Sequence, residues 1–98
     1  MKTALVTGGG GAIGAAICRR LARDMKVLVA DKNAEAAARV AQEVSGTPLV
    51  FDISRYADAR QALQGRTVDV LVNNAGWDRF QNFVDTKPDE WGALIDIN

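Results

Sequence analysis

The chain has 98 residues, 48% apolar and 24% charged, with twelve basic side chains offset by twelve acidic ones. That fits one small globular domain or part of a larger one, with no broad field to attract nucleic acid or an anionic membrane. The absence of histidine excludes Cys/His zinc sites and any Ser-His or Cys-His catalytic pair. The single cysteine, Cys18, excludes an internal disulfide and fits a reducing compartment. No apolar run approaches the roughly 20 residues of a membrane span. The start, MKTALVTGGG, lacks the apolar core of a secretory signal. A cytoplasmic protein with no bound metal is expected.

Along the chain, short apolar runs alternate with helical patterns. TALV (3–6), KVLVAD (26–31), PLVFDI (48–53) and VDVLVN (68–73) are rich in Val and Leu and end at Asp, Asn or Gly. Nearly continuous apolar runs of this length suit strands buried on both faces. After the first, Ile13, Ala16, Ile17 and Leu21 fall on one helical face. Ala37, Val40, Ala41 and Val44 repeat the pattern, with Asn33 as N-cap and Gly46 as the stop. Residues 55–64 form a shorter, weaker helix ended by Gly65. A last helix opens at Thr86 with Asp89 three positions on, and Trp91, Leu94 and Ile95 line one face. Four strand–helix units predict an α/β, Rossmann-type parallel sheet of strand order 3-2-1-4, with helices on both faces.

Gly8 to Gly11 stand between the first strand and the first helix. In a doubly wound sheet this turn lies at the carboxyl edge of the strands, where ligands bind. A helix start offers unpaired N–H groups and about half a positive charge, and a pyrophosphate settles there when no Cβ obstructs it. Gly9-x-Gly11-x-x-Gly14 matches the dinucleotide fingerprint formally, although several registers of a four-glycine run would do so. Asp31 ends the second strand 20 residues after Gly11. A carboxylate there accepts hydrogen bonds from an adenosine ribose and repels the 2′-phosphate of NADP, which favours NAD. The same residue would also serve as a cap for the next helix, and Lys32 beside it would offset a phosphate charge.

Together these residues resemble the short-chain dehydrogenase/reductase family. TGGGGAIG (7–14) is similar to its Thr-Gly-x-x-x-Gly-x-Gly signature, with Ala12 where the middle glycine usually stands. NNAG (73–76), at the end of the fourth strand, is similar to its second signature, although on its own it also reads as an Asn-rich turn. Asn73 is expected to tie neighbouring strand ends through side chain–backbone bonds. The resemblance covers the whole chain. It implies a cofactor site of Thr7, Gly8, Gly11, Ile13, Gly14, Asp31, Asn74, Ala75 and Gly76, with Asp52 and Ile53 in the adenine pocket. Asn98 takes the position of a catalytic asparagine that braces a water linked to a lysine; as a chain end it would otherwise simply meet solvent.

The family's catalytic serine and Tyr-x-x-x-Lys pair are not in this sequence. Tyr56 precedes NNAG and is followed by Arg60 four positions on, so it does not match. The expectation is therefore the N-terminal portion of one NAD(P)-binding domain, with the catalytic portion beyond residue 98. Residues 1–98 alone should fold poorly or associate. The resemblance implies hydride transfer between a nicotinamide cofactor and a secondary alcohol or ketone, in a homo-tetramer or homo-dimer with the Thr86 helix at the interface. NNAGWD (73–78) is similar to members acting on hydroxyacyl-CoA compounds. Trp77, Phe80 and Phe83 would line an apolar substrate pocket or else pack against protein. The alternative is a nucleotide-binding sensor or scaffold without turnover.

Overall fold

The computed structural model describes residues 1–75. Gly76, the aromatic loop, the helix from Thr86 and Asn98 lie outside the described residues. Four strands and three helices alternate: β1 Thr3–Thr7, α1 Ala12–Leu21, β2 Lys26–Asp31, α2 Ala34–Val44, β3 Thr47–Val50, α3 Tyr56–Leu63 and β4 Val70–Val72. The sheet is parallel, in the order β3-β2-β1-β4. Fold class and strand order are as the alternation predicts.

Register sorts the side chains of the central strands. Leu5 pairs with Leu28 and Val6 with Val29, and the strand period of two sends each pair to opposite faces. Val6, Val27 and Val29 pack with Ala15, Cys18, Val40 and Ala41 beneath α1 and α2. Leu5, Leu28, Ala30, Leu49 and Phe51 pack on the other face, where Ala59, Ala62 and Leu63 of α3 cover them. Each fully buried Val or Leu contributes about 1.5–3 kcal/mol of transfer free energy. Among the described residues no helix is long and apolar enough to cross a membrane.

The buried face of α1 departs from the sequence pattern. Gly14, Ala15 and Cys18 are buried, whereas Ile13 is 71% exposed and Ala16 faces solvent. Small residues bring this helix down onto the sheet, and Ile17 and Leu21 pack only at the margin of the cluster. The α2 face is as predicted: Ala37, Val40 and Ala41 are buried, and the Asn33 side chain accepts from Ala36 N–H. The stop of α2 is Ser45, at φ 55°, in place of Gly46. Gly46 N–H instead closes onto Ala41 C=O at 2.8 Å, the six-to-one bond of a Schellman end. β3 stops at Val50, so Phe51, Asp52 and Ile53 leave the strand and reach over its carboxyl edge. β4 begins at Val70, and Asp69 before it is tied to the start of β1: its N–H donates to Thr3 C=O and its carboxylate accepts from Thr3 N–H.

Candidate functional site

The carboxyl ends of the strands open into a crevice of about 560 Å³, within the range of small-molecule sites. Its walls come from four places: the β1–α1 turn and first turn of α1 (Thr7, Gly8, Gly11, Ala12, Ile13, Gly14), the tip of β2 (Ala30, Asp31, Lys32), the segment after β3 (Phe51, Asp52, Ile53), and the end of β4 (Asn74, Ala75). Ten of the residues singled out in the sequence meet here. Ala12, Ala30 and Phe51 were missed. Phe51 was hidden because PLVFDI reads as one continuous strand, while Lys32 entered only as a neighbour of Asp31.

The turn is built by the backbone. Gly8 sits at φ 65°, a left-handed angle that favours glycine, and Gly11 N–H closes back onto Gly8 C=O at 3.1 Å. A Cβ on Gly14 would run into that same carbonyl and come within 2.8 Å of the Asn74 amide nitrogen. These two glycines are therefore fixed by the fold itself. At Gly11 the nearest atom to an added Cβ among the described residues is 3.5 Å away, so these residues would tolerate a side chain there and an occupant of the crevice would meet it.

The starts of α1 and α2 differ in a telling way. Asn33 caps α2, and Glu35 adds a carboxylate to its first turn. α1 begins at Gly11 with no side-chain cap and no acidic residue in its first turn. The N–H groups of its first turn have no helical acceptor, and they open on the crevice with the positive end of the helix dipole. This cradle suits an anion with two phosphate groups.

Asp31 is held by backbone donors on both oxygens. Oδ2 accepts from Gly10 N–H and Oδ1 from Asn33 N–H, each at 2.9 Å. It thus fastens the glycine turn to the entry of α2, and its place on the crevice wall leaves further lone pairs for a sugar diol. The Arg39 guanidinium lies 3.5 Å from Gly10 C=O, behind the turn. Asp52 accepts from the hydroxyl (2.7 Å) and N–H (3.0 Å) of Ser54. These bonds, helped by Lys32 and Arg55, hold its carboxyl below the usual carboxylate range.

At the other wall Thr7 joins β1 to the end of β4. Its buried hydroxyl donates to Val72 C=O at 3.2 Å and accepts from Asn74 and Ala75 N–H, both at 3.0 Å. Among the described residues the side-chain tie foreseen for Asn73 is made by Asn74, whose amide donates to Gly8 C=O at 3.3 Å. Asn73 is exposed. The two signature stretches are thus bonded to each other, which neither reveals when read alone. Beneath the turn, Cys18 is fully buried with Sγ 4.0 Å from Gly9 C=O, and burial pushes its thiol up to about 11.

A parallel α/β sheet with an uncapped, side-chain-free helix start at its carboxyl edge defines the class of nucleotide-binding α/β proteins. Residues 2–98 match the model of the short chain dehydrogenase family, and the chain belongs to that family. It is 38% identical over 104 residues to the acetoacetyl-CoA reductase of Rhizobium meliloti, covering 99% of this chain and 43% of that protein. A 3-ketoacyl-(acyl-carrier-protein) reductase from Brucella melitensis complexed with NADH superimposes with a TM-score of 0.92 at 33% identity, over 98% of this chain and 43% of its own. A gluconate 5-dehydrogenase from Burkholderia cenocepacia in complex with NADP and tartrate gives 0.88 at 33% identity, over 98% and 42%. The chain spans less than half the length of each.

Proposed function

We propose that the full-length protein is an NAD-dependent oxidoreductase of the short-chain type, interconverting a secondary alcohol and a ketone, and that this chain carries its cofactor-binding half. The observation that carries the reading is the uncapped start of α1 against a bend without side chains. A nicotinamide dinucleotide would supply the hydride or receive it. The first-turn N–H groups of α1 hold its pyrophosphate over the side-chain-free turn, Asp31 takes the ribose hydroxyls of the adenosine, and Phe51, Asp52 and Ile53 surround the adenine. Ile13, Asn74 and Ala75 border the path toward the nicotinamide, and Gly76 shares in cofactor binding. Thr7, with its hydroxyl already committed to protein, contributes by holding the wall.

Preference for NAD rests on charge. A 2′-phosphate about 4 Å from the Asp31 carboxylate costs up to roughly 4 kcal/mol at an effective dielectric near 20. Lys32 on the same wall opposes this, and NADP accompanies the Burkholderia relative. The acyl-thioester names of the Rhizobium and Brucella relatives agree with the NNAGWD stretch in favouring a hydroxyacyl thioester among the alcohols. Asn98, the serine and the Tyr-x-x-x-Lys pair complete the active site in the full chain, in a cytoplasmic homo-oligomer.

The test is turnover by the full-length protein, followed through the absorbance of reduced nicotinamide with 3-hydroxyacyl-CoA and simple secondary alcohols. Reduction of NAD supports the reading. Tight NADH binding with no turnover of any alcohol or ketone would favour the sensor.

A further inference from the structure

Among the described residues the crevice holds three charged side chains, Asp31, Lys32 and Asp52. Asp31 is held by backbone donors, but Asp52 leans on a side chain. Both Ser54 donors converge on Asp52 Oδ1, at 2.7 Å from the hydroxyl and 3.0 Å from the N–H. Oδ2 has Arg55 Nε at 3.9 Å, too far for a hydrogen bond. Arg55 N–H closes the turn on Asp52 C=O at 3.0 Å, so the segment 52–55 holds its shape without the Ser54 hydroxyl. Beside Asp52 the wall is apolar, formed by Ala30, Phe51 and Ile53.

We infer that Ser54 is a positioning residue for recognition of the purine amine: by holding Oδ1 it keeps the Arg55 ion pair on Oδ2 loose, at 3.9 Å, and leaves that oxygen without a hydrogen bond among the described residues, an acceptor for the crevice. The inference rests on the dinucleotide reading above and goes a step past it. An ionised carboxylate only accepts. It favours a base whose edge presents N–H₂, as adenine does, and repels one that presents a carbonyl oxygen, as hypoxanthine does. Without the Ser54 hydroxyl, the neighbouring guanidinium competes for the carboxylate as a fork-shaped, charge-assisted partner. The acceptor then turns from the base, and discrimination between amine and carbonyl falls. Ser54 itself is exposed, so its loss does not open the core.

The experiment measures dissociation constants of NADH and reduced nicotinamide hypoxanthine dinucleotide for the full-length protein, with Ser54→Ala, Ser54→Thr and Asp52→Asn. Wild type is expected to favour the adenine form by about tenfold or more, the scale of one charge-assisted hydrogen bond. Asp52→Asn should erase that ratio, Ser54→Ala should narrow it by about threefold or more, and Ser54→Thr should keep it. Asp52→Asn erasing the ratio while Ser54→Ala leaves it intact would overturn the role of Ser54 and spare the adenine pocket. Equal loss of both ligands in Ser54→Ala would show a merely structural residue and overturn it too. Wild type binding neither dinucleotide would bring down the underlying reading as well.

Discussion

Thr7→Val tests whether the two signature stretches are one device. The change replaces a hydroxyl with a methyl group in a side chain that is 3% exposed. Three hydrogen bonds go: the donation to Val72 C=O and the acceptances from Asn74 and Ala75 N–H. Asn74 N–H and Val72 C=O retain each other at 3.1 Å, so only Ala75 N–H loses its one partner among the described residues. Leaving a part-buried donor unsatisfied costs about 1–3 kcal/mol, and each remaining loss adds roughly 0.5–1. The expected destabilisation is about 2–5 kcal/mol, with weaker dinucleotide binding as the β4 end drifts from the turn. Urea unfolding of the full-length protein at fixed concentration measures it, with Thr7→Ser, which keeps the hydroxyl, close to wild type. A Thr7→Val protein within about 0.5 kcal/mol of wild type, below the cost of one such bond, would refute the reasoning.

Other outcomes follow from the same geometry. Asn33→Ala removes the α2 cap and should cost about 1 kcal/mol in the same assay. Gly14→Val should abolish dinucleotide binding and also destabilise the fold, because its Cβ meets Gly8 C=O. Gly11→Ala should cost no more than about 1 kcal/mol of stability yet weaken NADH binding in a fluorescence titration, since among the described residues nothing lies closer than 3.5 Å to the added Cβ. For Cys18, whose pKa rises from 9.0 unfolded to about 11 folded, the folded state retains a proton that the unfolded state releases first. Stability should therefore be full below pH 9 and decline as pH climbs toward 11, and Cys18→Ala should flatten that limb of the urea-midpoint profile. Native protein should resist iodoacetamide at neutral pH.

Much of this was legible in the sequence, for physical reasons. Buried parallel strands show as unbroken Val/Leu runs, and the α2 face and its Asn33 cap obey local rules. The α1 face misled, because Ile13 is apolar yet placed on the crevice, while Gly14, Ala15 and Cys18 make the contact with the sheet. Apolar spacing cannot separate a residue kept for a ligand from one kept for the core. The Ser45 stop was missed because glycine is the usual left-handed cap, and Gly46 sits one residue too late. The Thr7–Asn74–Gly8 tie joins residues more than 60 positions apart, beyond the reach of any local pattern.

The central claim is that a bend bare of side chains receives a diphosphate while Asp31 screens the adenosine sugar. Parallel titration of the full-length protein with NADH and NADPH at one ionic strength tests it most directly. Tighter NADH binding by about tenfold or more is predicted, a modest share of the Coulomb cost above, with Asp31→Ser narrowing the gap. Equal affinities, or a preference for NADPH, would contradict it.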